Sequence, residues 1–291
     1  MIFTILAIVF PVFAIAGLGY LYGRYHRPDM AAINRLNMDI FVPALVFTAL
    51  AGKAFDLSRY GELALGGVAV ILGSGLLAWP FVRLLKVDYK TFIPPLMFNN
   101  SGNMGLPLAL LAFGEEAVPA AVVLFVTEMT LHFTIGVYMI DRRLSFVKLL
   151  KMPMIIATIL GLLVGGLDIS LWQPLGTMFE MVGNVAIPLL LFSLGVRLTG
   201  VSYRNWQLGA AAAVLCPVTG LLVVWLILPY LNLPDMQKSL LIIFGALPPA
   251  VLNYLVAEQY HQEPEKVASI VMLANLASIV FMPLALAIAL S

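Results

Sequence analysis

The sequence predicts an all-α integral membrane protein: ten transmembrane helices in two inverted halves of five, with helices 4 and 9 broken. Three observations carry this reading: the bulk composition, the spacing of apolar stretches, and polar interruptions at matching places in the two halves. The 291 residues are 62% hydrophobic and 11% charged, with a mean hydropathy of +1.01. Soluble domains run about 45–50% apolar and about 25% charged, so a water-soluble globular protein is excluded. Sixteen Lys and Arg face fifteen Asp and Glu, which leaves no bulk basic surface for nucleic acid. A lone cysteine, Cys216, excludes an internal disulfide and a cysteine-based metal cluster. Set in an apolar run, it reads as a small buried hydrophobe.

A bilayer core about 30 Å thick needs roughly 20 apolar residues per helix. Such stretches fall near 3–22, 30–50, 61–83, 91–112, 117–140, 153–167, 173–196, 206–229, 238–257 and 267–290. The first carries no Lys or Arg before its apolar run, and Arg24 and Arg27 follow it. A signal peptide has the opposite layout, so a retained helix is expected. The second span carries Arg35 and Asp39 and is the least apolar. Lys and Arg accumulate on the cytoplasmic side of membrane helices. Twelve lie in loops after odd-numbered spans, against Lys53, Arg59 and Lys238 on the other side. The expected topology is multi-pass, with both termini outside the cytoplasm.

The halves are alike at an offset of 145 residues. Asp39, Pro43 and Phe47 align with Asn184, Pro188 and Phe192, Gly75 with Gly220, and Pro119 with Pro264. The break at 99–104 aligns with 244–249. Five spans per half force the second copy upside down, as in many secondary transporters with sites near the midplane. Residues 1–140 form the first repeat, 141–152 a cytoplasmic linker and 153–291 the second repeat.

Span 4 carries Asn99-Asn100-Ser101-Gly102-Asn103-Met104-Gly105-Leu106-Pro107 at its centre. Pro107 has no N–H and disfavours the α conformation at Leu106, and Gly102 and Gly105 ease unwinding. Span 9 repeats the device with Pro248, Pro249 and Asn253. Irregular backbone at membrane depth is tolerated where it lines a cavity or is buried in protein, and paired interruptions mark a binding site. Half-helix N-termini offer free N–H groups and a positive dipole end. A carboxylate fits there, with Asn side chains adding donors without the cost of a fixed buried charge. The alternative is that these amides only join helices.

Glu128 and His132 lie mid-span in helix 5 at i and i+4, on one helix face. They read either as an ion- or proton-coupling pair or as a hydrogen-bonded structural pair. Asp39 reads either as a cation ligand or as a packing group, and Asn184 as a polar contact to substrate. Glu128-Met-Thr-Leu-His132 is not the zinc-binding HExxH motif. With no GxSxG elbow and no P-loop, the sequence holds no catalytic or metal site, and an ion gradient is the energy source.

Asn100-Ser-Gly-Asn-Met-Gly-Leu-Pro107 resembles the fourth-helix motif of the auxin efflux carrier family. Gly183-Asn184-Val-Ala-Ile-Pro188 through Gly195 resembles its seventh-helix motif, and Leu247-Pro248-Pro249 through Tyr260 its ninth. The short 141–152 loop is similar to bacterial members. The resemblance implies a fold related to bile-acid sodium symporters, with helices 4 and 9 crossing. Spans 1, 2, 6 and 7 would form a scaffold, often dimeric, and spans 3–5 and 8–10 a moving transport domain. It implies a carboxylate substrate near the crossing, with Asn100 and Asn184 as motif residues. The third-helix acidic residue of plant members has no counterpart between Leu63 and Phe81, which turns attention to Glu128 and His132. The expected protein is thus a secondary transporter of small organic anions. Its substrate site would use Asn100, Ser101, Asn103, Asn184 and Asn253. Gly102, Gly105, Pro107, Pro248 and Pro249 would shape the crossing, and Glu128, His132 and Asp39 would couple ions. No cofactor is expected beyond a coupling proton or sodium ion. A sodium-coupled symporter and a non-transporting sensor are the alternatives.

Overall fold

The computed structural model describes residues 2–52, 59–141, 150–200 and 205–290. Lys53, Arg142, Arg143, Lys148 and Arg204, which entered the charge-based topology, lie outside them, as does most of the 141–152 linker. The described residues are almost wholly helical. Among the described residues, seven helices are long and apolar enough to cross a membrane: α1 (Ile2–His26), α2 (Ala31–Ala51), α3 (Gly61–Leu85), α6 (Glu115–Ile140), α8 (Gln173–Arg197), α9 (Trp206–Tyr230) and α12 (Pro264–Ala289). The rest are shorter. α4 (Tyr89–Met97) and α5 (Ser101–Phe113) fill span 4, and α10 (Asp235–Ala246) and α11 (Leu252–Gln259) fill span 9. α7 (Pro153–Gly166) has 14 residues, about 21 Å at 1.5 Å per residue, short of a bilayer core.

The outer surface is that of a protein dissolved in hydrocarbon. Phe3, Phe10, Leu76 and Trp225 are each more than 70% exposed, an apolar face that water would penalise and lipid accepts. Two packing groups emerge. α1 lies along the C-terminal half of α8, and α2 along α7 and the start of α8. α9 packs on α3, α10 and α12, and α3 on α4 and α6. Small residues bring the backbones together: a Cβ on Gly195 would sit 1.8 Å from the Ala16 carbonyl oxygen, and one on Gly220 1.9 Å from that of Gly245. Lipid tails give helices no hydrophobic drive to associate, so such close contact carries the packing.

Prolines mark most of the local distortions. A proline removes the N–H that would bond the carbonyl four residues back. Pro43 leaves the Asp39 carbonyl without that donor, and the chain widens to a π-helical turn over Asn37–Phe41, in which the Val42 N–H donates to the Asn37 oxygen. Pro188 does the same to Asn184, and a turn at 184–185 divides α8. Pro107 follows another π turn, Ser101–Gly105, where the Leu106 N–H donates to the Ser101 oxygen. That geometry corrects one expectation. Pro107 does not hold the helix open: Leu106 is α-helical and Pro107 sits in the first turn of a regular segment, because the wider turn absorbs the missing donor. The opening lies earlier, at 98–100.

Candidate functional site

The two interruptions pair with each other. Phe98 is extended and Asn99 forms an isolated antiparallel bridge with Pro249. The Asn100 N–H donates to the Pro248 oxygen at 2.7 Å, and the Ala250 N–H to the Phe98 oxygen at 2.9 Å. Leu247 is extended (ψ 142°), as a residue before proline prefers. Backbone groups that lost their helical partners thus find each other. The first half-helices end at Met97 and Ala246, 149 residues apart and not the 145 of the sequence register.

Side chains tie this knot. Asn99 Nδ2 donates to the Phe244 oxygen at 2.7 Å, and Asn253 Nδ2 to the oxygens of Phe98 and Ala250, each at 2.9 Å. Asn275, in the middle of α12, donates through Nδ2 to the oxygens of Pro249 and Val271. Its Oδ1 accepts from Asn100 Nδ2 at 2.8 Å. The Cys216 thiol, buried as expected, donates to the Leu247 oxygen.

A cavity of about 360 Å³ opens beside the knot. Asn99, Asn100, Gly102 and Asn103 line one side with Ala250 and Val251, Glu128 and Phe125 come from α6, Asn34, Arg35 and Asn37 from α2, and Ser193 and Arg197 from α8. It therefore lies where the two packing groups meet. The start of α5 leaves the N–H groups of Ser101, Gly102 and Asn103 without acceptors in a preceding turn, and the helix dipole favours an anion there. Gly102 is needed for space: a Cβ would meet the Phe125 ring at 2.8 Å.

Glu128 is 2% exposed. Ser101 Oγ donates to its Oε2 at 3.3 Å, and His132 Nδ1 lies 3.2 Å from its Oε1. The His132 ring stacks on Phe98, 4.3 Å between centroids, so the Glu128–His132 pair is attached directly to the break. Of the sequence-based set, Asn100, Asn103, Gly102 and Glu128 reach the cavity wall. Ser101, His132, Asn253, Pro248 and Pro249 stand behind it and hold its parts. Asp39 and Asn184 are both exposed and outside the lining; the distorted turns made by Pro43 and Pro188 leave them facing outward.

Sequence reasoning missed Asn37, Ser193, Arg197 and Asn275. Asn37 is 1% exposed, and neither amide atom has a hydrogen-bond partner among the described residues. Ser193 Oγ is also without one. Arg197 ends span 7 and served only as a topological charge. Asn275 is a lone amide mid-span, a signal of interhelical bonding available from sequence.

A helical, lipid-facing molecule with two mutually paired helix breaks and a polar cavity beside them belongs to the class of multi-pass membrane transporters. A family model described as "Membrane transport protein" matches residues 4–145 and 142–286, and the chain belongs to that family, the auxin efflux carrier family. It is 25% identical to a Rhizobium meliloti protein named "Putative malonate transporter", over 94% of this chain and 92% of that one. It is 27% identical to an "Uncharacterized transporter" of Methanothermobacter thermautotrophicus, over 95% of each chain.

Proposed function

We propose that this protein is a secondary transporter of small organic anions, with the substrate carboxylate held beside the paired breaks. The observation that carries it is the cavity wall lined by Asn100, Gly102 and Asn103 at the N-terminal end of α5, where amide side chains and a helix start suit a carboxylate. The malonate named for the Rhizobium meliloti relative has that chemistry. The chain is read as ten spans in two inverted halves in a bacterial inner membrane, with both termini outside the cytoplasm. α4–α5, α7 and α10–α11 are the spans that fall short of a continuous long helix. Packing of α1, α2, α7 and α8 as one group supports a scaffold, through which two copies could dimerise. α3–α6 and α9–α12 form the moving part. An elevator-like shift of that part past α2 and α8 would carry the cavity, at their junction, from one side to the other.

Glu128 supplies the coupling. It lines the same cavity, so its ionised form and a bound carboxylate repel each other. A proton held by Glu128 and His132 removes that repulsion, so anion and proton travel together. Uptake of radiolabelled malonate, malate and indole-3-acetate into proteoliposomes, under proton and sodium gradients imposed separately, tests this. Proton-driven flux that disappears in Asn100→Ala is the expected result. Flux driven by sodium alone would replace the coupling with that of a sodium symporter. Substrate binding without flux under any gradient would favour a sensor.

A further inference from the structure

The α2–α8 side of the cavity is built for an anion as well. Asn37 buries both amide atoms, and Ser193 its hydroxyl, with no hydrogen-bond partner among the described residues. Polar atoms buried in this way are rare in native proteins and costly unless a ligand or water satisfies them. Arg197 lies one turn beyond Ser193 on α8, at i and i+4, on the same face. Both line the cavity; among the described residues Arg197 forms no salt bridge with an Asp or Glu, and the acidic group it interacts with is the Tyr254 phenol, whose hydroxyl donates to Glu258 Oε1. A basic residue in the last turn suits the helix dipole, which accounts for a cation at this position. It does not account for Asn37 and Ser193, buried without hydrogen-bond partners among the described residues, converging with that cation on one cavity from two helices. The opposite wall has its own donors at the paired breaks, and the cavity holds about a dozen water volumes, space for an anion of a few carbons between the two walls.

We infer that Arg197, with Asn37 and Ser193, forms a second carboxylate-binding pole across the cavity from the paired breaks. This pole selects anions that carry two carboxylates. The inference rests on the organic-anion reading and adds to it the residue that sets selectivity. Arg197 contributes a planar fork that grips a carboxylate through two parallel bonds. Asn37 Nδ2 and the Ser193 hydroxyl complete the donor set. A monocarboxylate of the same length satisfies one pole and leaves the other empty.

Calorimetric titration of the purified full chain with malonate and with malonamate tests this, since malonamate has the same length with one carboxylate replaced by a neutral amide. The wild-type protein should bind malonate at least tenfold more tightly than malonamate. In Arg197→Gln that ratio should fall to within twofold, and Arg197→Lys should retain part of it. Asn37→Ala should lower the ratio at least threefold with no loss of thermal stability in the ligand-free protein, and it serves if Arg197→Gln does not fold. A ratio that survives in Arg197→Gln, or in Asn37→Ala where only that variant folds, overturns the second pole while the organic-anion reading stands. Wild-type protein that binds malonamate as tightly as malonate overturns the second pole alone, and binding of none of malonate, malonamate, malate and indole-3-acetate overturns both.

Discussion

Removing Asn275 should loosen the junction of the two breaks. This buried side chain, 3% exposed, donates to the Pro249 and Val271 oxygens and accepts from Asn100 Nδ2. Asn275→Leu is close in size and strands two groups, the Pro249 carbonyl and the Asn100 amide; the Val271 carbonyl keeps its place in the α12 helix. A buried polar group without a partner costs about 1–3 kcal/mol, whereas interhelical hydrogen bonds in membranes average about 0.6 kcal/mol and reach about 1.7. Asn100 borders the cavity, where water can take up part of its loss, so a total of about 2–3 kcal/mol results from these terms. At roughly 2–4 °C per kcal/mol, the midpoint of tryptophan-monitored unfolding in detergent should drop by about 4–12 °C. The decisive comparison is the double variant with Asn100→Ala. Once the Asn100 amide is gone, Asn275→Leu strands only the carbonyl. The two losses should then fall short of additivity by about 1 kcal/mol, as expected for residues in contact. Additivity within about 0.3–0.5 kcal/mol, the behaviour of independent sites, would refute a shared bond that holds the breaks together.

Gly195→Ala places a methyl 1.8 Å from the Ala16 carbonyl oxygen and must part α1 from α8, at about 1–3 kcal/mol or more. Gly17→Ala, on α1, meets nothing within 4 Å and should be neutral or stabilising by up to about 1 kcal/mol, a contrast read by thermal unfolding. Glu128→Gln keeps the shape but cannot ionise, so uptake should persist without its dependence on an imposed proton gradient; retained proton-driven accumulation would remove Glu128 from the coupling. Outside the spans, Glu263 accepts from Lys266 and from Thr91 Oγ1, and these donors hold its carboxyl below the ordinary range. A depressed folded value means its contribution is present above the unfolded pKa of about 4.3 and lost as pH falls through the folded one. Stability should therefore decline in acid below about pH 4.3, and Glu263→Gln should flatten that decline; an unchanged pH profile would refute it.

The long helices were legible because their signal is local. Span 3, expected at 61–83, is Gly61–Leu85, and span 10, expected at 267–290, is Pro264–Ala289. Both breaks were legible as breaks but displaced. Pro248 restrains Leu247 directly, so the second opening sits beside its proline. In the first half Pro107 acts on a π turn, and the opening is set by pairing with 248–250, a tertiary event. Glu128 and His132 were found because i and i+4 spacing fixes a shared face. Asn37 was passed over in favour of Asp39, two residues on, because an ordinary helix gives no reason to choose between them. Arg197 lay at a span end, where charge is normal. What makes it notable is the company of Asn37 and Ser193, which lie 160 and 4 residues away in the chain.

Among the described residues, the π-helical segments share a location that physical reasoning can use. Asn37–Phe41 starts with the cavity-lining Asn37, Ser101–Gly105 contains the cavity-lining Gly102 and Asn103, and His132–Gly136 begins at the histidine that holds Glu128 and stacks on Phe98. A π turn inserts a residue, weakens the local hydrogen-bond ladder and rotates the remainder of the helix, which is why such turns gather at functional sites. Two of these have a proline as cause; the third has none, and Thr134 instead bonds back to the Thr130 oxygen within it. Three independent helices thus sacrifice regular geometry at one cavity, on both sides of the junction between the packing groups. Structural bonding alone would be served by straight helices with fewer stranded groups. The distortions make sense if the cavity is the part of the molecule that must present donors inward, receive a charged guest and release it again.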